Sequence, residues 1–124
     1  MIAKRGTLRL TVNGESIPVP SIPHRSCPKC GEGMLRMHES RQLSQGAIAL
    51  YREKYGLLSA DEIRAIRERL GLTQAELAAL LRLGDNTISR WESGRNVQSA
   101  AMDMLLRMIR DVPGSIAYLR AHAA

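Results

Sequence analysis

The sequence has no phenylalanine and a single tryptophan, so its core has to be assembled from Leu, Ile, Ala, Val and Met. It has two cysteines, too few for a disulfide-stapled scaffold. They stand at C-x-x-C spacing, and the start of the chain lacks the pattern of a secretory leader. Together these predict a thiol or metal role in the cytoplasm rather than a structural disulfide. No apolar run is long enough to span a bilayer, which argues against a membrane protein. Internal repeats and low-complexity tracts are missing too. Nor is there a paired acid and base, or an activated nucleophile, in a cleft-type motif, and so an enzyme is not expected.

What is present is basic. A chain of 124 residues with a formal charge of +6 allows one ordinary domain or two very small ones, and suits a polyanionic partner. The charge is uneven. Residues 1–59 hold nine Lys/Arg against four acids, whereas residues 60–96 hold six of each sign. Attraction to phosphates is therefore expected to come partly from the N-terminal half.

Residues 6–13 alternate, with Leu8, Leu10 and Val12 on one face and Thr7, Arg9 and Thr11 on the other, the period of a strand. Asn13-Gly14 is a strong hairpin signal, because both central positions of a type I′ turn need positive φ. Ile17 and Val19 continue into a return strand that Pro18 and Pro20 are expected to keep short or at an edge. A lone hairpin is marginal, so this piece needs a metal, a partner or packing.

From about His38 to Tyr55 the pattern becomes helical, with Leu43, Ala47, Leu50 and Tyr51 on one face, although Gly46 interrupts it. Ser59 and Glu62 form a capping box, as do Thr73 and Glu76. Between them Ile63, Ile66 and Leu70 mark a helix that stops at Gly71. Gly84 is expected to break the next helix, and residues 86–92 form another. Ser99 to Ile109 presents Met102, Leu105, Leu106 and Ile109 on one face. Pro113 then opens a last helix burying Ile116 and Leu119. This gives five helices from residue 59 onward.

Two of them carry the most informative pattern in the chain. Residues 72–81, then Gly84, then residues 86–95, read as two short helices joined by a tight turn, the second with polar residues on its open face. That is the layout of a helix-turn-helix that reads the DNA major groove.

Residues 59–110 resemble the lambda-repressor-like, XRE-type helix-turn-helix family. The likeness rests on Arg67, the run from Leu70 to Ala78 (Leu-Gly-Leu-Thr-Gln-Ala-Glu-Leu-Ala), Ile88-Ser89-Arg90-Trp91-Glu92 and Gly94. The whole chain more narrowly resembles the MqsA-type antitoxins with their YgiT-type zinc finger. There a hairpin between two C-x-x-C pairs precedes the same reader domain. Here residues 6–19 match the hairpin, Cys27-Pro28-Lys29-Cys30-Gly31-Glu32 match the second pair, and residues 51–66 match the junction. The first C-x-x-C pair has no counterpart in this sequence, so two of the four zinc thiolates are missing.

The resemblance implies a mainly α fold. A five-helix lambda-repressor-like helix-turn-helix domain (59–124) would follow a small β-hairpin with a C-x-x-C knuckle (1–37) and a linking helix (38–58). It implies that Asp85, Asn86 and Arg90 face base edges. Asn pairs with adenine and Arg with guanine in bidentate fashion, and Asp85 could accept from a cytosine amino group or simply be solvated. Gln74, Thr87, Ser93 and Arg95 would contact phosphates. Arg67 and Glu92 would form a partly buried ion pair, and Leu77, Ile88 and Trp91 would wedge the two helices together.

For Cys27 and Cys30 two readings stay open. Zinc needs four ligands, so His24 and His38, or a second subunit, would complete the site. Otherwise the pair is a reduced dithiol. A redox role lacks its thioredoxin-like frame.

The expected function is a sequence-specific DNA-binding repressor. It would be the autoregulating antitoxin of a type II toxin-antitoxin operon, a cytoplasmic, nucleoid-associated homodimer on palindromic double-stranded DNA, with an RNase-type toxin as partner. The alternative is a stand-alone phage or mobile-element regulator without a toxin. No cofactor beyond zinc is implied.

Overall fold

The computed structural model describes residues 2–26 and 33–122. The chain divides into two compact units, Met1–Tyr55 and Gly56–Ala124.

In the first unit, Asn13 (φ 49°) and Gly14 (φ 82°) form the turn between strand β1 (Ile2–Val12) and strand β2 (Glu15–Ser26). Positive φ at both central residues is what a two-residue hairpin of type I′ requires. Val12 faces Glu15, Leu10 faces Ile17 and Leu8 faces Val19, before the register slips beyond Leu8. The slip fits one extra residue in β2, where Ser21 takes φ 57°. A two-residue strand β3 (Gly33–Met34) pairs with Arg25 and Ser26, giving the order β1-β2-β3.

Of the two outcomes expected from Pro18 and Pro20, a short return strand or one at an edge, the structure shows the second. β2 runs for 12 residues. The residues flanking a two-residue turn exchange both ladder bonds, so Glu15, Ile17 and Val19 turn their backbone toward β1. Pro18 and Pro20 point the other way, to an edge that β3 reaches only at residues 25–26. Their missing N–H groups cost the ladder nothing.

Helix α1 (Met37–Tyr55) packs on both strands. Val12, Ile17, Val19 and Ile22 are buried, as are Leu43, Ala47 and Ile48 of the helix, whereas Leu50 is exposed. Gly46 explains its own presence: a Cβ there would lie 2.8 Å from Val19 Cγ1. Glu39, in the first turn of α1, accepts from the Arg36 backbone N–H at 2.8 Å and from Arg25 Nη2 at 3.0 Å.

The second unit holds five helices: α2 (Ala60–Arg69), α3 (Gln74–Leu80), α4 (Thr87–Glu92), α5 (Ala100–Asp111) and α6 (Ser115–His122). Ser59 with Glu62, and Thr73 with Glu76, form complete capping boxes on α2 and α3. Ser99 caps α5. The core is Leu58, Ile63, Ile66, Leu77, Ala78, Ile88, Trp91, Leu106 and Ile109. Ile116 and Leu119 are only partly buried against it.

The end of α3 differs from the sequence reading. The helix stops at Leu80, before Gly84, and the left-handed residue is Arg82 (φ 57°). The Leu83 N–H returns to Ala78 O at 2.8 Å, closing the last turn. The Arg82 and Leu83 N–H groups, bonded to Ala79 O at 3.1 Å and Ala78 O at 2.8 Å, hold a non-glycine residue in that region.

A buried carboxylate fastens the start of this unit. Asp103 Oδ1 accepts the Leu58 N–H at 2.7 Å and the Gln98 amide at 3.2 Å, and Oδ2 accepts Arg107 Nε at 2.8 Å. Gln98 also donates to Leu58 O at 2.9 Å, and Arg107 to Gly56 O at 2.7 Å.

Candidate nucleic-acid interface

Helices α3 and α4 are joined by residues 81–86 and meet through Leu77, Ile88 and Trp91, all buried. Apolar burial on this side of α4 turns its other side outward. Asn86 stands just before α4, and its side chain makes no capping bond. Arg90 lies one turn on, its N–H bonded to Asn86 O at 3.0 Å. An i, i+4 pair shares one helix face, so the exposed Asn86 and Arg90 stack on the open side of α4. Asp85 is also exposed, while Thr87 is half-buried.

Beyond α4 the chain folds back on its last turn. Arg90 O accepts the N–H groups of Arg95 (2.9 Å) and Asn96 (3.3 Å), and the Ser93 hydroxyl at 3.3 Å. The backbone of Arg95 is thereby held beside Arg90. Both side chains are exposed, and neither has a hydrogen-bond or ion-pair partner among the described residues.

The rear of the same helix is tied down. Glu92 is buried, its side chain 1% exposed. Arg67 grips it with Nε to Oε2 at 2.8 Å and Nη2 to Oε1 at 3.0 Å, and gives Nη1 to Leu72 O at 3.1 Å. Burial alone would raise the Glu92 carboxyl pKa, but hydrogen bonds from Arg67, Gln74 and Arg64 more than reverse this and hold it below the ordinary carboxylate range. The same hydrogen bond raises Arg67, whose charge is secure in any case.

Gln74 is half-buried, and its Nε2 donates to Glu92 Oε1 at 3.3 Å. One amide proton thus faces the Glu92 carboxylate at the start of α3. Arg64, which the sequence did not single out, reaches both Glu92 Oε1 (3.4 Å) and Glu92 O (3.3 Å). Its one signal was position: three residues before Arg67, on the same face of α2. The Asp103 network was missed as well, although Asp103 and Arg107 have i, i+4 spacing.

Cys27 and Cys30 lie outside the described residues. Of the histidines considered with them, His24 is half-buried with Nδ1 2.9 Å from Ile22 O, and His38 is exposed. Among the described residues no three His, Cys, Asp or Glu side chains come together as a metal site. No helix there is long and apolar enough to cross a membrane.

Two comparisons bear on this arrangement. The family model described as "Antitoxin component of bacterial toxin-antitoxin system, MqsA" matches residues 1–120. Antitoxin HigA-2 of Vibrio cholerae serotype O1 is 28% identical over 86 residues, covering 65% of this chain and 83% of that protein.

Proposed function

The chain belongs to the MqsA antitoxin family, and on that premise we propose that it is a sequence-specific DNA-binding repressor of its own toxin-antitoxin operon. Helices α3 and α4 act as a lambda-repressor-like helix-turn-helix, with α4 as the reader in the major groove. The observation that carries this reading is the contrast between the two sides of α4. The side chains of Asn86 and Arg90 stack outward without partners among the described residues, while Glu92 behind them is fixed by three donors.

In this reading Arg90 pairs with guanine and Asn86 with adenine, and Asp85 favours a cytosine amino group nearby. Arg95, Thr87, Ser93 and the remaining amide proton of Gln74 face phosphates. The protein regulates and does no chemistry of its own. A six-residue reader covers few bases, so two copies on a palindrome supply the affinity. The apolar surface for that pairing is Met104 and Met108 on one side of α5 with Val112 just past its end, all exposed. Leu106 and Ile109, elsewhere on α5, are taken up by the unit's own core. The toxin is an RNase-type protein held by the first unit.

The test is titration of the DNA upstream of the chain's own reading frame against a scrambled duplex of equal length and composition. Specific binding should exceed non-specific binding by about a thousandfold or more. Equal affinity for the two duplexes would overturn the proposal.

A further inference from the structure

The hairpin has two edges, and they are unlike. On β2 the outward backbone positions include Pro18 and Pro20, which have no N–H to offer. β1 is 11 residues long, contains no proline and pairs only with β2 among the described residues. Val12 faces Glu15 across a two-residue turn, so Val12, Leu10 and Leu8 direct their backbone toward β2. The odd residues Thr7, Arg9 and Thr11 then direct N–H and C=O to the open side.

Charged side chains often guard such an edge. Here they are drawn off it. Arg5 Nη1 donates to Ser21 O at 2.8 Å, and Arg9 donates to Ser16 through Nε (2.8 Å to Oγ) and Nη2 (3.4 Å to O). Both guanidiniums are turned across the hairpin onto β2, leaving a row of donors and acceptors unpaired among the described residues beside a positive face. β1 itself carries Lys4, Arg5 and Arg9 and no acid.

We propose that the outer edge of β1 is the docking strand for the toxin, which adds an edge strand of its own whose acidic side chains draw Arg5 and Arg9 back from β2. The proposal rests on the antitoxin reading and names the surface that reading needs. Charge argues against a second copy of this chain in the same place. The antiparallel register that pairs the whole strand is centred on Thr7 and sets Arg5 opposite Arg9, and like charges directly opposite are destabilising. Alternation argues against nucleic acid. A phosphate backbone accepts from N–H groups but repels the carbonyls of Thr7, Arg9 and Thr11, whereas a strand satisfies both.

The experiment is amide hydrogen exchange on the full chain, alone and with the protein encoded by the adjoining reading frame. In the complex the amides of Thr7, Arg9 and Thr11 should slow, while those of Leu8, Leu10 and Val12 are slow already. Thr7→Pro, which removes only an outward N–H, should weaken toxin binding by about tenfold or more and leave operator affinity unchanged. Arg5→Glu with Arg9→Glu should weaken it further. If the wild-type complex forms but protects another segment, the edge assignment is wrong and the antitoxin reading stands. Protection of these amides by operator DNA in place of the toxin would also overturn it. If the neighbouring protein does not bind at all, the toxin-partner reading falls and takes the docking strand with it.

Discussion

Arg67 and Glu92 are joined by two hydrogen bonds, at 2.8 and 3.0 Å, across 25 residues of sequence. The pair links α2 to the final turn of α4. Removing Arg67 takes away both short bonds and leaves the buried Glu92 carboxylate only the longer contacts from Arg64 and Gln74. Arg67→Ala should therefore destabilise the second unit by about 3 kcal/mol, read as a lowered midpoint in urea. The pH dependence has a definite sign. Glu92 and Asp103 both have pKa values held below normal in the folded protein: burial opposes this, and it is outweighed by Arg67, Gln74 and Arg64 at Glu92 and by the Leu58 N–H, Arg107 and Gln98 at Asp103. Their contribution is present above the unfolded-state values and lost as pH falls through the folded ones. Stability should decline from about pH 5 downward, and less steeply in Glu92→Gln.

Gly46 should be intolerant of a single methyl group. Alanine normally favours a helix interior by roughly 0.5–1 kcal/mol over glycine. At Gly46 the new Cβ would press on Val19 Cγ1 at 2.8 Å, a stiff β-branched side chain in a buried site. Overpacking of about 1–3 kcal/mol should win, so Gly46→Ala lowers the melting temperature. Adding Val19→Ala to it should cost less than the sum of the two single changes.

In the proposed dimer, a polar residue on the exposed side of α5 should separate the two copies. Met104 and Met108 are 60% and 50% exposed, so Met104→Asp with Met108→Asp should leave the monomer's stability nearly unchanged. Sedimentation should give a single-chain mass, and operator affinity should fall at low protein concentration. A double variant that remained dimeric would place the interface elsewhere.

Chelation should leave operator binding intact. Among the described residues the core of the second unit draws on residues 58–119, so the proposed reader should keep its fold whatever Cys27 and Cys30 hold. Affinity measured before and after a strong chelator should agree, with metal content per chain determined on the same sample. One zinc per chain fits completion by His24 and His38, and one per two chains fits a site shared between subunits.

Local signals were the readable ones. Asn13-Gly14 gave the turn because both residues tolerate positive φ, and the spacings of Ser59 to Glu62 and Thr73 to Glu76 gave two helix starts. What escaped was long-range or compensated. Whether Pro18 and Pro20 shorten the return strand or only sit on its edge stayed open because sequence does not say which backbone groups face outward. The stop at Leu80 escaped because Arg82, not Gly84, takes the left-handed conformation. Asp103 bonds Leu58 from 45 residues away, and no spacing rule reaches that far. In the candidate interface, the face shared by Asn86 and Arg90 follows from helical periodicity, whereas their assignment to bases came from family likeness. The hold of Gln74 and Arg64 on Glu92 was legible from neither.

The central claim is that the outer face of α4 reads base sequence. Its most direct test is the footprint of the full chain on the DNA upstream of its own reading frame, wild type against Arg90→Ala. The wild type should protect two half-sites about 10 base pairs apart. Arg90→Ala should lose about 1–3 kcal/mol of discrimination at one position in each half-site, with its fold and non-specific affinity unchanged. A footprint that survives Arg90→Ala with the same sequence preference would contradict the account.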